Sequence, residues 1–404
     1  MAAAPMSIAN SSVSPVEQLL LICARPVLSP QLRAVLRKLS SLSLNWGKVL
    51  NGARCNFIAA LASKHLIETA ADLLPAPVIT ELTRLRRQNA MRSLEIARIQ
   101  RFLVEEILEK QNSRQVFIKG ATLSHEYYGD MHLRQYRDID LLLDEASVFA
   151  AGTELIQQRY VVTNPAWQRS RSQDLAAFCR YNSVLELRSP SGIQVELHRT
   201  LDNSGCVFST HDYLSSSVLR QVDATQLNVL PCTELFVYLC FHHSKHQWSS
   251  LHWCADLEAF WQHSEMDHSH VLTLARHLGL ESTIQESWKL RSDLEELAIC
   301  GELPSGRTHS RFLADCLEAL KLSTRAPGTD PVRASAELPR EPDFPYSWQK
   351  SPAYRWRFQV ARCHPSAVDY DAWPLPLRWH WLYYLVKPIR VAGSRWLRLW
   401  RRES

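Results

Sequence analysis

The sequence predicts an α+β fold, in which an α/β unit and a β-hairpin lie between helical regions towards both ends of the chain. Three observations predict this fold. Apolar residues recur at helical spacing before Glu109, strand and helix signals alternate from Gln115 to Arg159, and two segments of alternating polarity surround the turn Ser189–Gly192. A sheet formed from the last two regions needs helices to cover it.

The composition is that of a globular protein. The 404 residues are 46% hydrophobic and 22% charged, which is enough for two or three packed units. The formal net charge of +5 tolerates an anionic partner but does not by itself indicate nucleic acid. Ten cysteines without a C-x-x-C pair, and an N-terminus without a signal-peptide pattern, predict a cytoplasmic protein.

The first predicted region, residues 1–112, is helical. It ends in a long helix from Glu81 to Lys110. Apolar positions on this helix recur at steps of three and four residues: Ile96, Ile99, Leu103 and Ile107.

The second predicted region, residues 113–205, is an α/β core. "QVFIKG" indicates a strand that stops at Gly120, "ATLSHEYY" a short helix, "DIDLLL" a second strand and "EASVFAAGTELIQQR" another helix. "SVLELRSPSGIQVELHRT" is the clearest hairpin in the chain.

Two further regions complete the predicted organisation. Residues 206–325 have mainly helical character, and residues 326–404 combine a Pro-rich linker with a basic, aromatic, helical C-terminal segment.

Two aspartates open the strand "DIDLLL". Side chains alternate along a strand, so Asp138 and Asp140 lie on one face, roughly 6 to 7 Å apart. Neighbouring carboxylates repel unless cations lie between them, and oxygen ligands of this kind suit Mg²⁺. The alternative is a strand end that carries solvated acids.

A third carboxylate lies on the hairpin. In "IQVELH" the polar face contains Gln194, Glu196 and His198. If this strand lies beside "DIDLLL", Glu196 joins the two aspartates, as a two-metal phosphoryl transfer site requires. Glu186 alternates in the same way, so either glutamate could instead be an ordinary surface residue.

These residues carry a family resemblance. The ordered series "FIKGATLSHEYY", "LRQYRDIDLLL", "GIQVELH" and "HHSKHQWSSLHWCADLEAF" resembles the bacterial uncharacterised nucleotidyltransferase family of the DNA polymerase beta-like superfamily. The resemblance implies a nucleotidyltransferase core with a small mixed sheet flanked by helices. It also implies that Asp138, Asp140 and Glu196 are catalytic and bind metal. The superfamily's Gly-Gly or Gly-Ser motif is matched by Gly120-Ala121, which departs from the pattern, and the gap from Gly120 to Asp138 is longer than usual.

The predicted nucleotide contacts begin at this glycine. The backbone N–H groups of Ala121 and Thr122, at a helix N-terminus after Gly120, can face a triphosphate. Three nearby cations can neutralise phosphate charge: Lys119, Arg134 and Arg137. A solvated Lys119, and an Arg137 that balances the neighbouring acids, are the alternatives.

A histidine cluster follows in the helical region 206–325. His242 and His246 are spaced i, i+4, which permits zinc, but the metalloprotease motif is absent. The resemblance implies instead that this region covers the catalytic cleft, where His242, Lys245 and His246 contact phosphate or substrate. Asp256 is expected either to orient a histidine or to join two helices by a salt bridge.

The C-terminal segment interleaves basic and aromatic residues. Arg378, Lys387 and five later arginines accompany Trp396 and Trp400. Such a segment either packs on the domain or lies on an anionic membrane surface.

The sequence therefore predicts an Mg²⁺-dependent nucleotidyltransferase with two metal ions, which transfers a nucleoside monophosphate from a nucleoside triphosphate (NTP) to an acceptor and releases pyrophosphate. A small molecule, sugar or peptide is favoured over nucleic acid as acceptor. The alternative is a nucleotide-binding scaffold without turnover, in the cytoplasm or attached to the inner membrane surface.

Overall fold

The computed structural model describes residues 12–170, 173–202, 205–325, 349–387 and 389. The fold is α+β, as predicted, with a seven-stranded mixed sheet and helices before, between and after the strands. The chain forms two compact units. Within the described ranges, the helical unit contains the residues up to 98, Lys119–Arg137 and Pro231–Gln349, and the sheet unit contains Ile99–Ile118, Asp138–Leu230 and the residues from 350 onward.

The helical unit is built around a buried first helix. Its main helices are α1 (Pro15–Cys23), α2 (Pro30–Ser40), α3 (Trp46–Cys55), α4 (Ala59–Ala70), α5 (Ala76–Phe102), α6 (Ala121–Tyr128), α11 (Cys232–Lys245), α12 (Leu251–Trp261), α13 (His268–Leu278), α14 (Glu281–Cys300) and α15 (Leu313–Arg325). Ser14 and Glu17 cap α1 reciprocally. The five residues from Leu19 to Cys23 are almost fully buried, and α1 packs on α3 and α14.

The long predicted helix is confirmed, with a change of geometry near its end. Helix α5 ends at Phe102 and continues as a π-helical turn, Leu103–Leu108. Each position in the predicted apolar stripe is buried: Ile96, Ile99, Leu103 and Ile107. Hydrophobic periodicity predicted the buried face of the helix. No sequence pattern predicted the π-helical turn.

The sheet has the strand order β3-β4-β5-β2-β1-β7-β6. Its strands are β1 (Gln115–Phe117), β2 (Asp138–Leu143), β3 (Val161–Val162), β4 (Val184–Arg188), β5 (Gln194–His198), β6 (Val218–Val222) and β7 (Thr225–Val229). Strand β2 is parallel to β5 and antiparallel to β1. The helices of this unit are α7 (Glu145–Gln157), α8 (Pro165–Arg169), α9 (Leu175–Tyr181), α10 (Thr210–Ser215), α16 (Pro352–Ala361) and α17 (Ala367–Ala372).

The sheet contains two hairpins, and only one of them has a turn that the sequence predicts. The predicted β4–β5 hairpin is confirmed, and Gly192 takes φ 87° in its turn. The β6–β7 hairpin was not predicted. It turns at Asp223, with φ 52°, in a sequence without glycine or proline.

Part of the predicted C-terminal organisation lies outside the described residues, namely positions 326–348 and the basic residues from Arg390 onward. Over the part of the chain that is described, no helix combines the length and apolarity that crossing a membrane requires.

Candidate functional site

A row of carboxylates crosses three strands of the sheet. Asp140 on β2 lies opposite Glu196 on β5, and Glu196 lies opposite Glu186 on β4. Adjacent strands are about 4.8 Å apart, so the three side chains share one face within a narrow strip. The Asp140 side chain is 2% exposed and that of Glu196 is 26% exposed. The predicted adjacency of Asp140 and Glu196 is therefore observed.

A histidine lies between the two carboxylates. His198 Nε2 is 3.1 Å from Asp140 Oδ1 and 3.3 Å from Glu196 Oε2. His198 comes two residues after Glu196 on β5, which places both side chains on the same face. The polar face of "IQVELH" indicated this position, although sequence reasoning assigned no role to it.

The charges of this row shift the pKa values of its members. Burial acts to lower the pKa of His198, but hydrogen bonds to Asp140 and Glu196 outweigh it and raise the pKa to about 9. Burial, and then the charge of Glu196, raise the pKa of Glu186. The raised pKa of His198 reflects the two carboxylates beside it, whereas that of Glu186 reflects burial first and the charge of Glu196 second.

The donor set fits a divalent cation. Among the described residues, Asp140, Glu196 and His198 form the one group of three such side chains whose ligand atoms all lie within 4.8 Å of one another. Carboxylate oxygens suit Mg²⁺ and Mn²⁺, while an imidazole nitrogen suits softer divalent metals. With a neutral imidazole, the two carboxylates supply the two negative charges that a divalent cation balances.

Asp138 lies on the same face of β2, two residues before Asp140. It is the first residue of β2, is half-buried and lies opposite Gln194. Its role as a metal ligand remains a prediction, as do the catalytic roles of Asp140 and Glu196.

The predicted glycine motif begins helix α6 in the helical unit. Gly120 takes φ 77° and ψ −129°, a conformation that residues with a Cβ rarely adopt. No side chain caps the helix, while the Thr122 hydroxyl donates to the Lys119 carbonyl. Ala121 and Thr122 are buried. Backbone N–H groups at a helix start after glycine can bind phosphate, and this role of the turn remains a prediction.

Arg134 lies in a buried ion pair. Its Nε and Nη2 donate to the two carboxylate oxygens of Asp256 at 2.7 and 2.9 Å. The Tyr128 hydroxyl donates to the same carboxylate at 2.7 Å, and His243 Nε2 lies 3.3 Å from it. Asp256 therefore lies beside a histidine, as one alternative expected, but its ion pair with Arg134 joins α12 to the loop after α6 and not to a second helix. The phosphate-binding role of Arg134 remains a prediction.

The remaining predicted contacts are spread over the helical unit. The Arg137 guanidinium lies 4.4 Å from the centre of the Phe57 ring. His242 and His246 have ring centres 5.0 Å apart near the end of α11, and Lys245 is half-buried beside them. Burial, and then the charge of Lys119, lower the pKa of His242 well below its usual range, so His242 is neutral at neutral pH.

Comparison with known proteins identifies the family. The family model described as "Uncharacterised nucleotidyltransferase" matches residues 43–293, more than half of the chain, so the chain belongs to that family. The comparison with curated proteins gave no match. Membership supports transferase activity, with nucleotidyl transfer as the general function and a nucleotide as substrate.

Proposed function

We propose that this member of the nucleotidyltransferase family transfers a nucleoside monophosphate from an NTP to an acceptor hydroxyl or phosphate, with Asp140 and Glu196 as ligands of a catalytic divalent cation. The observation that carries the proposal is their side-by-side position on two parallel strands, with His198 Nε2 within 3.3 Å of both. Asp138, on the same face of β2, is proposed as a further ligand, as two Mg²⁺ ions would require.

The chemistry is an exchange of one P–O bond for another. An acceptor oxygen forms a bond to the α-phosphorus, the bond from that phosphorus to the bridging oxygen breaks, and pyrophosphate leaves with the electron pair. A bound divalent cation would neutralise phosphate charge during this exchange. Glu196, with its partly exposed carboxylate, or Asp140 would accept the acceptor's proton if a base is needed.

The sheet holds the carboxylates in place. The apolar residues that alternate with them are fully buried: Ile139, Leu141, Val195 and Leu197. Ligands on such strands keep their spacing without the loss of side-chain and backbone freedom that a mobile loop would incur.

The proposed triphosphate contacts are Lys119, Gly120, Ala121 and Thr122, followed by Arg134, Arg137, His242, Lys245 and His246. The positive-φ turn at Gly120 supports the first group. The mild net charge does not by itself indicate nucleic acid, and the proposed acceptor is a small molecule, sugar or peptide.

Calorimetric titration with each of the four ribonucleoside triphosphates, with and without Mg²⁺, tests the proposal. At least one should bind only with Mg²⁺, and the double variant Asp138→Ala, Asp140→Ala should lose this binding. Glu186→Gln is the matched control, because Glu186 lies in the same row but outside the three-ligand group. Binding that persists in the double variant would contradict the proposal. Label at the α- or γ-phosphate then separates nucleotidyl from phosphoryl transfer.

A nucleotide-binding protein without turnover is the second candidate. The position of His198 between the carboxylates favours it, because the imidazole can itself occupy the place of a cation. In that case the triphosphate would bind equally well in EDTA, and His198→Gln would create a requirement for Mg²⁺.

A further inference from the structure

Exposed apolar side chains are concentrated near the C-terminal end of the described chain. Ten of the nineteen large apolar residues that are exposed in the described structure lie between residues 356 and 389. They are Trp356, Val360, Val368, Trp373, Leu377, Trp379, Trp381, Tyr384, Leu385 and Ile389. We call this set the C-terminal aromatic surface. Isolated exposed apolar residues are ordinary, but a concentration of this kind marks a surface that binds something.

Helix α16 exposes apolar residues beside the polar Arg355 and Gln359 on its outer side, and buries others on its inner side. Tyr354 and Phe358 are buried, while Trp356 is 68% exposed and Val360, one turn later, is 40% exposed. A surface helix usually places polar residues on the outer side. Trp356 instead stands between two arginines in the sequence "YRWRF".

The segment from Leu377 repeats this arrangement. Leu377, Trp381, Leu385 and Ile389 recur every fourth residue and are each more than half exposed. The backbone is helical from Leu377 through Lys387, first as a 3₁₀-helix and then as an α-helix. Residues four apart lie on one side of an α-helix, so Leu385 and Ile389 form an exposed apolar row on the α-helical part. A 3₁₀-helix repeats every three residues, so Leu377 and Trp381 are exposed on different sides of the first part.

The opposite side of the same segment is anchored. Tyr383 is fully buried and its hydroxyl donates to the Trp373 carbonyl at 2.6 Å. His380 bonds to the Tyr181 hydroxyl at 2.6 Å and to the Leu375 carbonyl at 2.8 Å. The exposed row is therefore held outward by specific contacts on its inner side.

Basic residues outnumber acidic residues in the C-terminal part of the chain. Residues 350–404 contain eleven Arg and Lys but three Asp and Glu, whereas the whole chain has a net charge of only +5. Two of the three acids have local partners. Asp369 is buried and accepts hydrogen bonds from Ser366, and Asp371 accepts one from Ser170. Six of the thirteen tryptophans also lie in this stretch.

We propose that the C-terminal aromatic surface binds the surface of an anionic lipid bilayer. Tryptophan and leucine side chains would enter the headgroup boundary, and the arginines and lysines would pair with lipid phosphates. Charge complementarity favours a membrane over a second copy of the chain, because two copies would bring like-charged segments together. This proposal does not depend on the reaction proposed above.

Sedimentation of the full chain with lipid vesicles tests the proposal. Vesicles of phosphatidylcholine alone are compared with vesicles that contain phosphatidylglycerol at about three lipids in ten. We expect at least tenfold stronger binding to the anionic vesicles, loss of most binding at about 0.5 M NaCl, and a blue shift of tryptophan fluorescence on binding. Equal binding to both vesicle types, or none, would overturn the proposal.

Two double variants test whether the C-terminal aromatic surface is the part of the protein that binds the vesicles. Trp356→Ser with Trp381→Ser removes two exposed side chains of the surface and should weaken binding to anionic vesicles about tenfold. Leu94→Ser with Leu219→Ser removes two apolar residues of comparable exposure elsewhere and should leave binding unchanged. Both proteins should retain the circular dichroism of the wild type. Equal effects of the two double variants would overturn the location.

Light scattering tests the alternative that the C-terminal aromatic surface binds a second copy of the chain. A monomer near 46.4 kDa without vesicles agrees with the proposal. A dimer that the two tryptophan substitutions convert to monomer would show that the surface joins two copies, and would overturn the membrane assignment.

Discussion

Two groups of charged residues in the molecule each contain a histidine beside a carboxylate, but the pKa of the histidine shifts in opposite directions in the two groups. In the sheet unit, His198 lies between Asp140 and Glu196. In the helical unit, His243 lies beside Asp256, which also binds Arg134. The pKa of His198 is raised to about 9, and that of His243 is lowered to about 4.

The difference follows from the balance of charge. Burial lowers the pKa of both histidines, but His198 has two carboxylates to compensate. For His243 the hydrogen bond and charge of Asp256 only partly offset burial, and Arg134 acts against protonation. Burial alone would raise the pKa of Asp256, but Arg134 and His243 outweigh it and lower that pKa well below the usual range. Loss of a partner from the balanced cluster leaves a buried charge without compensation, whereas the unbalanced cluster has capacity for a bound cation.

The largest expected effect is on catalysis. Asp140→Asn and Glu196→Gln should each reduce turnover of an α-labelled triphosphate by about a thousandfold or more, because metal-ligand chemistry supplies several kcal/mol of transition-state stabilisation. Glu186→Gln should change turnover by less than about fivefold. A similar loss in all three variants would mean that overall negative charge, and not ligation, is what matters.

The next effect is on stability. Arg134→Ala leaves Asp256 buried without its main cation, and should lower the free energy of unfolding by about 3 to 5 kcal/mol. Arg98→Ala removes an exposed ion pair with Glu95 and should cost less than about 1 kcal/mol. Urea denaturation measures both. Equal losses would show that the Asp256 cluster is not the balanced group described here.

The pH dependence of stability separates the two histidines. Because the pKa of His243 falls from 6.5 to about 4 on folding, the unfolded chain binds a proton first as pH falls through this window. The free energy of unfolding should therefore drop on acidification, by about 1.4 kcal/mol per pH unit from this residue. His243→Gln should reduce the slope by that amount, and the exposed His277→Gln should not.

His198 should act in the opposite direction in protein without metal. Its folded pKa lies above the value of 6.5, so its stabilisation is fully present below pH 6.5 and is lost as pH rises through about 9. Urea denaturation of His198→Gln between pH 7 and 9 should show a weaker alkaline loss than the wild type. An unchanged alkaline slope would contradict the two-carboxylate environment.

The smallest expected effect concerns the turn at Gly120. Gly120→Ala places a Cβ at φ 77° and should cost about 1 to 3 kcal/mol of stability. If the turn contacts triphosphate, affinity measured by calorimetry should fall more than stability accounts for. An unchanged affinity would remove Gly120, Ala121 and Thr122 from the proposed contacts.

Patterns within short stretches of sequence predicted individual strands and the turn that joins β4 to β5. Alternation gave β4 and β5, and the glycine turn gave the hairpin register that places Glu196 beside Glu186. The adjacency of Glu196 and Asp140 comes instead from the parallel pairing of β2 with β5, which joins segments distant in sequence. The same alternation placed His198 on the polar face, but only the pairing of β2 with β5 shows that it reaches Asp140.

Other features depend on contacts distant in sequence. Arg134 and Asp256 are 122 residues apart, and no spacing rule joins them. The sequence therefore predicted a phosphate contact for Arg134 but did not predict its ion pair with Asp256. The β6–β7 hairpin was missed because its turn residue, Asp223, adopts positive φ without the usual glycine.

The central claim is that the row formed by Asp140 and Glu196 binds a divalent cation. Titration of Mn²⁺, followed by electron paramagnetic resonance, tests it most directly and needs no acceptor. We predict saturable binding by the wild type and by Glu186→Gln, and its loss in Asp140→Asn and Glu196→Gln. Equal Mn²⁺ binding by all four proteins, or none by the wild type with triphosphate present, would contradict the account.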